Sequence, residues 1–233
     1  MIPLRDNIPS RSFPVVNVAL IVVNVIVFFY EVSLGPSLDR FIFTYGLVPR
    51  KFFAEPSLSL ERWIPLFSSI FLHGGWMHLA GNMLYLWIFG DNVEDRMGPA
   101  RYLVFYLLCG LAAATAQMTL NSSSVVPMVG ASGAIAGVMG AYFLLYPHAR
   151  VITLIPIFFF IELIEIPAFF FLGFWIVFQF FSGTASLALS MEHGVAWWAH
   201  IGGFVAGMFL VRPFVKRRPP TGRRTIRIGR YIS

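Results

Sequence analysis

The chain has 233 residues, 58% of them hydrophobic and only 12% charged, with 25 Phe, 6 Trp and a mean hydropathy of +0.75. This excludes an ordinary soluble domain, which could not cover so much apolar surface, and points to a single integral membrane domain. The net charge of +6 gathers towards the C-terminus, in Lys216, Arg217, Arg218, Arg223, Arg224, Arg227 and Arg230. Because this run follows an apolar segment directly, it reads as a cytoplasmic juxtamembrane anchor rather than a nucleic-acid surface.

In chain order, Arg5 and Arg11 precede an apolar stretch from 13 to 33. The charge order resembles a secretory leader, but the stretch is too long and has no convincing small-residue cleavage site, so it reads as a retained first helix. The following loop, 34–75, is long and rich in Phe41, Phe43, Phe52, Phe53, Trp63, Leu66 and Phe67. Short helices half-buried at the outer surface are expected there, with Arg50, Lys51, Glu61 and Arg62 at headgroup level.

Further apolar segments run over 76–96, 100–120, 131–147, 166–183 and 193–214, each near the ~20 residues a spanning helix needs. Gly98-Pro99 and the polar Asn121-Ser122-Ser123-Ser124 stretch turn the chain between them. Residues 151–164 are apolar but carry Glu162. They read as an interfacial or re-entrant segment, with a longer, broken fifth helix as the alternative. The expected fold is all-α, a polytopic bundle of six transmembrane helices with a long, partly embedded first loop. Its parts are a cytoplasmic N-terminal segment 1–12, a membrane domain 13–214 and a basic cytoplasmic tail 215–233.

Six spans put both termini on one side, and the basic ends make that side cytoplasmic. Helices two, four and six then all descend from outside. His78 near the start of helix two, Ser132 at the start of helix four and His200 two turns into helix six come to similar depth in the outer half. An ionisable residue inside a membrane segment is costly and is a functional candidate by default.

Serine-based peptide hydrolysis needs an activated hydroxyl, a base and donors for the oxyanion. Ser132 lies in Gly130-Ala131-Ser132-Gly133 and gains the N–H groups of a helix start, while His200 is the candidate base. His78 and Asn82, four residues apart, share one helix face and can donate to an oxyanion alongside the Ser132 backbone. Gly130, Gly133, Gly203 and Gly207 would let helices four and six approach closely. The competing reading is helix packing alone, since small residues at four-residue spacing are ordinary membrane contacts.

The remaining candidates are weaker. His73 precedes helix two and reads as an interfacial or supporting residue; His148 and His193 fall at loop edges. Cys109, the single cysteine, excludes an intrachain disulfide and reads as an apolar packing residue. Glu162 and Glu165 sit at the opposite end from Ser132, so the expected centre is a Ser-His dyad whose base is oriented by helix packing. No His-Glu-x-x-His zinc motif is present in the sequence, and neither a metal nor another cofactor is expected.

At Gly130-Ala131-Ser132-Gly133, His78-x-x-x-Asn82 and His200 followed by Gly203 and Gly207, the chain resembles the rhomboid intramembrane serine proteases of the prokaryotic, six-helix type. The resemblance extends over nearly the whole chain. It implies an endopeptidase that cleaves transmembrane segments of membrane proteins near the outer face through an acyl-enzyme, in the cytoplasmic membrane of a prokaryote. It also implies Ser132 and His200 as the catalytic pair, and His78 and Asn82 at the oxyanion. The alternative is an inactive rhomboid-like protein that binds membrane helices. Partners are transmembrane substrates and the lipid bilayer, with no nucleic acid; the oligomeric state is not legible. Two positions depart from the family. Ala136 stands where some rhomboids carry an aromatic residue stacked on the histidine, and Arg62-Trp63 reverses a common Trp-Arg pair. The Phe-rich fifth helix, with Phe174 and Phe178, is the expected movable wall beside helix two.

Overall fold

A computed structural model describes residues 1–54, 60–157, 160–188 and 195–216. The His193 and basic-tail assignments beyond Lys216 lie outside the described residues. Strand β1 (Ile2–Asp6) precedes the long helix α1 (Val15–Ser33). Three short helices then fill the first loop: α2 (Leu38–Tyr45), α3 (Pro49–Ala54) and α4 (Leu60–Ser68), as its apolar content predicts. Helices α5 (Trp76–Met97), α6 (Pro99–Leu120) and α7 (Ser132–Leu145) follow, then strands β2 (Arg150–Ile157) and β3 (Phe160–Pro167), and finally α8 (Ala168–Ala188) and α9 (Trp197–Phe214). The predicted helix limits fall close to these. Between α5 and α6 the turn is made by Gly98 at φ +83°, a left-handed conformation that favours glycine, followed by Pro99 at the first helical position.

The all-α expectation needs one correction. Residues 151–164, expected to be an interfacial or re-entrant segment or part of helix five, form an antiparallel hairpin, and β1 pairs with its first strand in the order β1-β2-β3. The segment is rich in Ile and alternates only weakly, so its apolar content is compatible with either a strand or a buried helix. Pro156 and the β-branched run Val151-Ile152-Thr153 favour the extended form. Val151 and Thr153 are fully buried, whereas every residue from Phe160 to Glu165 is exposed.

Helix α7 is the centre of the molecule: Gly133 to Tyr142 are all buried. Helix α9 packs on it without intervening side chains. A Cβ at Gly203 would meet the Gly133 carbonyl oxygen, one at Gly207 the Gly137 carbonyl, and one at Gly140 the Phe204 carbonyl. On another side, Gly137 faces Cys109 of α6, consistent with Cys109 as a packing residue. The spaced small residues therefore pack α7 against both neighbours.

Polar groups buried at the other end of the bundle fasten α1 and the sheet to α5, α6 and α7. The Glu94 carboxylate accepts from the backbone N–H of Val16 at 3.1 Å and of Asn17 at 2.7 Å, satisfying donors that the first turn of α1 cannot satisfy itself. Asn17 donates to the Leu86 carbonyl at 3.0 Å and accepts from the Tyr102 hydroxyl at 2.8 Å. Asp6 accepts from Asn92 at 3.1 Å and from the Tyr142 hydroxyl, so β1 is joined to α5 and α7. Burial raises the Asp6 carboxyl pKa, partly offset by the Tyr142 bond.

By length and composition, α1, α6 and the Ala168–Ser186 part of α8 are long and apolar enough to cross a membrane. Helix α7, of 14 residues, is apolar but shorter.

Candidate active site

Ser132 is the first residue of α7, and its approach is set by Gly130 at φ +125°. That conformation is accessible to glycine and strained for other residues. The position is crowded as well: a Cβ there would lie 2.7 Å from His78 Nε2 and 3.6 Å from Asn82 Nδ2. The backbone just before the serine thus passes directly over the two side chains of α5. The Gly130 N–H is satisfied by the Ser69 carbonyl at 2.8 Å.

Ser132 Oγ lies 2.8 Å from His200 Nε2. The packing of Gly133 against Gly203 and of Gly137 against Gly207 is what lets two side chains this short meet across α7 and α9. On the far side of the ring, His200 Nδ1 is 2.7 Å from Gln179 Oε1 of α8. Trp175, one turn earlier on α8, lies with its ring centroid 5.7 Å from that of His200 at 37°, and Trp197 meets the ring edge-on at 6.4 Å.

His78 Nδ1 accepts from the Gly74 N–H at 3.3 Å, which leaves the proton on Nε2, the nitrogen facing Gly130. Asn82 Nδ2 is buried and has no hydrogen-bond partner among the described residues. An unsatisfied buried donor is uncommon in a native fold, and this one belongs to a residue that borders the same cavity as Ser132 and His200. His78, Asn82, Ser132, Trp175 and His200 line one open cavity of about 660 Å³, together with Met77, Tyr85 and Met139 among others. The arrangement can transfer a proton from hydroxyl to imidazole and donate hydrogen bonds to an oxygen near Gly130.

A family model described as the rhomboid domain matches residues 60–217, more than half of the chain. The chain belongs to the rhomboid family. Among curated rhomboids it is 28% identical over 183 residues to Rhomboid protein 1, mitochondrial, of Saccharomyces cerevisiae, covering 74% of this chain and 46% of that one. It is 33% identical over 129 residues to Rhomboid protease GluP of Bacillus subtilis, covering 55% and 24%. It is 36% identical over 108 residues to RHOMBOID-like protein 5 of Arabidopsis thaliana, covering 46% and 33%. The chain spans less than half the length of these relatives. Family and apolar helices together make this rhomboid an integral membrane protein.

In this rhomboid the four residues expected at the centre, Ser132, His200, His78 and Asn82, come together; of the four glycines expected to pack helices, Gly133, Gly203 and Gly207 lie between α7 and α9, whereas Gly130 lies in the turn before α7 against His78. His73 is buried against Phe28 and the His78 ring, and its N–H is accepted by Glu31 of α1 at 3.2 Å. Burial, with a smaller contribution from His78, brings its pKa down to about 4, so it is neutral at physiological pH. His148 is exposed, and Glu165 pairs with Arg150 at the surface at 3.8 Å. Arg62, in the reversed Arg-Trp pair, lies 4.6 Å from the Phe52 ring centroid. Sequence reasoning missed Gln179, and it read Trp175 only as part of the aromatic wall of the fifth helix, not as a neighbour of His200. Gln179 is the one amide side chain in the apolar run of α8 and is only 4% exposed, a polar group whose burial needs a partner. Trp175 supplies from α8 the aromatic neighbour that Ala136 of α7 cannot.

Proposed function

We propose that this rhomboid is an intramembrane serine endopeptidase that cleaves transmembrane segments of other membrane proteins, with Ser132 as nucleophile and His200 as base. The observation that carries the reading is the 2.8 Å approach of Ser132 Oγ to His200 Nε2 inside a cavity that is also lined by Asn82, whose Nδ2 donor is unsatisfied among the described residues. Proton transfer from the hydroxyl to Nε2 accompanies attack of Oγ on the scissile carbonyl carbon. The oxyanion is received by His78 Nε2–H, Asn82 Nδ2–H and the first-turn N–H groups of α7, which have no intrahelical acceptor. Collapse of the tetrahedral intermediate expels the amine, which takes the proton from His200. Water then gives its proton to His200, attacks the acyl-enzyme and releases the acid, and Ser132 recovers its proton.

Six spans, α1 and α5 to α9, with both termini cytoplasmic, suit this chemistry. Helix α7 has 14 residues and rises only about 21 Å, against the ~30 Å of a bilayer core. Ser132 at its outer end therefore sits below the membrane surface. A substrate helix must unwind there to expose its carbonyls, so the cavity must receive an extended segment. A prokaryotic cytoplasmic membrane is the proposed location.

The test is fluorophosphonate labelling of detergent-solubilised protein and cleavage of a transmembrane reporter, with Ser132→Ala and His200→Ala as comparisons. Labelling and cleavage that both vanish in Ser132→Ala, and cleavage lost in His200→Ala, support the dyad. Labelling that persists in Ser132→Ala sinks it. Reporter binding without cleavage by the unmodified protein would instead favour an inactive helix-binding rhomboid.

A further inference from the structure

We propose that Gln179 is a positioning residue for the catalytic base, holding His200 in the one tautomer that can deprotonate Ser132. The inference rests on the dyad reading and extends it from α7 and α9 to α8.

A neutral imidazole carries its proton on one nitrogen, and only the bare one can act as base. If the proton sits on Nε2, the ring donates to Ser132 Oγ and catalysis from that state is blocked. The atom facing Nδ1 decides between the two. Gln179 Oε1, at 2.7 Å, can only accept, so Nδ1 carries the proton and Nε2 is left bare towards Ser132 Oγ at 2.8 Å.

The surroundings hold this choice in place. Gln179 is 4% exposed, so water does not compete for its amide. Trp175, one turn earlier on the same face of α8, lies beside the His200 ring and limits its rotation. The outward face of α8 is bulky and apolar, with Phe170, Phe174, Phe178 and Phe181 exposed. An inward amide in such a helix is costly to bury unless it is paired, and Gln179 pairs with His200. During the reaction the imidazole becomes positively charged, and a carbonyl dipole at Nδ1–H then stabilises it further, which lowers the barrier as well as selecting the tautomer.

The experiment compares Gln179→Leu, which keeps the volume and removes the acceptor, with Gln179→Glu, which supplies a charged one. Reporter cleavage by the full chain in liposomes is measured across pH, with thermal unfolding of each variant alongside. The expected result for Gln179→Leu is a fall in kcat of roughly 10–100-fold with KM within about twofold, the size of one lost buried hydrogen bond. Gln179→Glu is expected to retain more activity than Gln179→Leu and to move the acid limb of the kcat profile to higher pH, since a carboxylate favours the imidazolium. In histidine-¹⁵N-labelled protein, the His200 signals should report a bare Nε2 in the unmodified chain and a tautomer mixture in Gln179→Leu. Wild-type kcat in Gln179→Leu, or equal losses in both variants with an unmoved pH profile and an unchanged tautomer, overturns the role of Gln179. Those outcomes leave the dyad standing so long as Ser132→Ala abolishes cleavage. Cleavage surviving in Ser132→Ala overturns the dyad itself, whatever the Gln179 variants do.

Discussion

Gly207 of α9 lies so close to the carbonyl oxygen of Gly137 in α7 that no side-chain atom fits between them. The same register puts Gly203 against the Gly133 carbonyl one turn nearer the site, so the two backbones are in contact along the stretch that ends at Ser132 and His200. Gly207→Val must push the helices apart. Overpacking of this kind costs about 1–3 kcal/mol. A lower Tm in detergent is expected, together with a loss of Ser132 labelling beyond what the fraction unfolded explains. Unchanged labelling kinetics in a folded Gly207→Val protein would show that this contact does not set the Ser132–His200 distance.

Asn82 should show opposite effects on stability and activity. Its Nδ2 group is buried without a partner among the described residues, so Asn82→Ala removes an unsatisfied donor and should leave Tm equal or slightly raised. Reporter cleavage should fall about 10²–10³-fold in kcat if the same donor meets the oxyanion. A large fall in Tm with unchanged kcat per folded molecule would assign Asn82 to structure instead.

Glu94 caps α1 from a neighbouring helix. Glu94→Ala leaves the Val16 and Asn17 N–H groups without their acceptor in a buried setting, at a cost of about 1–3 kcal/mol. For a chain of this size that is roughly 2–4 °C of Tm per kcal/mol. Glu94→Gln, which keeps one carbonyl acceptor, should recover part of the loss. Indistinguishable Tm values for all three proteins would refute the capping role.

His73 predicts acid sensitivity with a definite direction. Folded His73 stays neutral down to about pH 4, whereas in the unfolded chain it takes up a proton near 6.5. The unfolded state therefore binds more protons as the pH falls through 6.5, and stability is lost progressively towards about pH 4. Thermal unfolding between pH 7.5 and 5 should show a smaller decline in His73→Phe than in the unmodified protein (pH limits on the order of the two titrations). Parallel declines in the two proteins would place the acid sensitivity elsewhere.

Much of the helical frame was legible from residue order. Apolar length marks α1, α6 and α8, Gly98-Pro99 marks the turn between α5 and α6, and the glycine before Ser132 marks the start of α7, because each of these signals acts within a few residues of itself. The hairpin was not, since β2 and β3 owe their extended form to pairing with each other and with β1, which begins at Ile2, far away in the chain. The site divides in the same way. Ser132, His200, His78 and Asn82 were visible as polar groups at unusual places in apolar helices. Gln179 was equally unusual, but its partner lies on another helix and nothing adjacent to it in the chain points there.

What the sequence by itself determined is the membrane character of the protein, the order and limits of its helices, and the residue types able to perform serine chemistry. Hydropathy, helix termini and glycine conformations are local properties, so they can be read along one strand of text. The tertiary structure decided that Ser132 and His200 touch, that α8 supplies both Gln179 and Trp175 to the far side of the imidazole, and that the first strand closes a sheet with the hairpin. These depend on how α7, α8 and α9 turn their faces towards one another, which is settled by backbone contact at glycines and by the pairing of buried polar groups across helices.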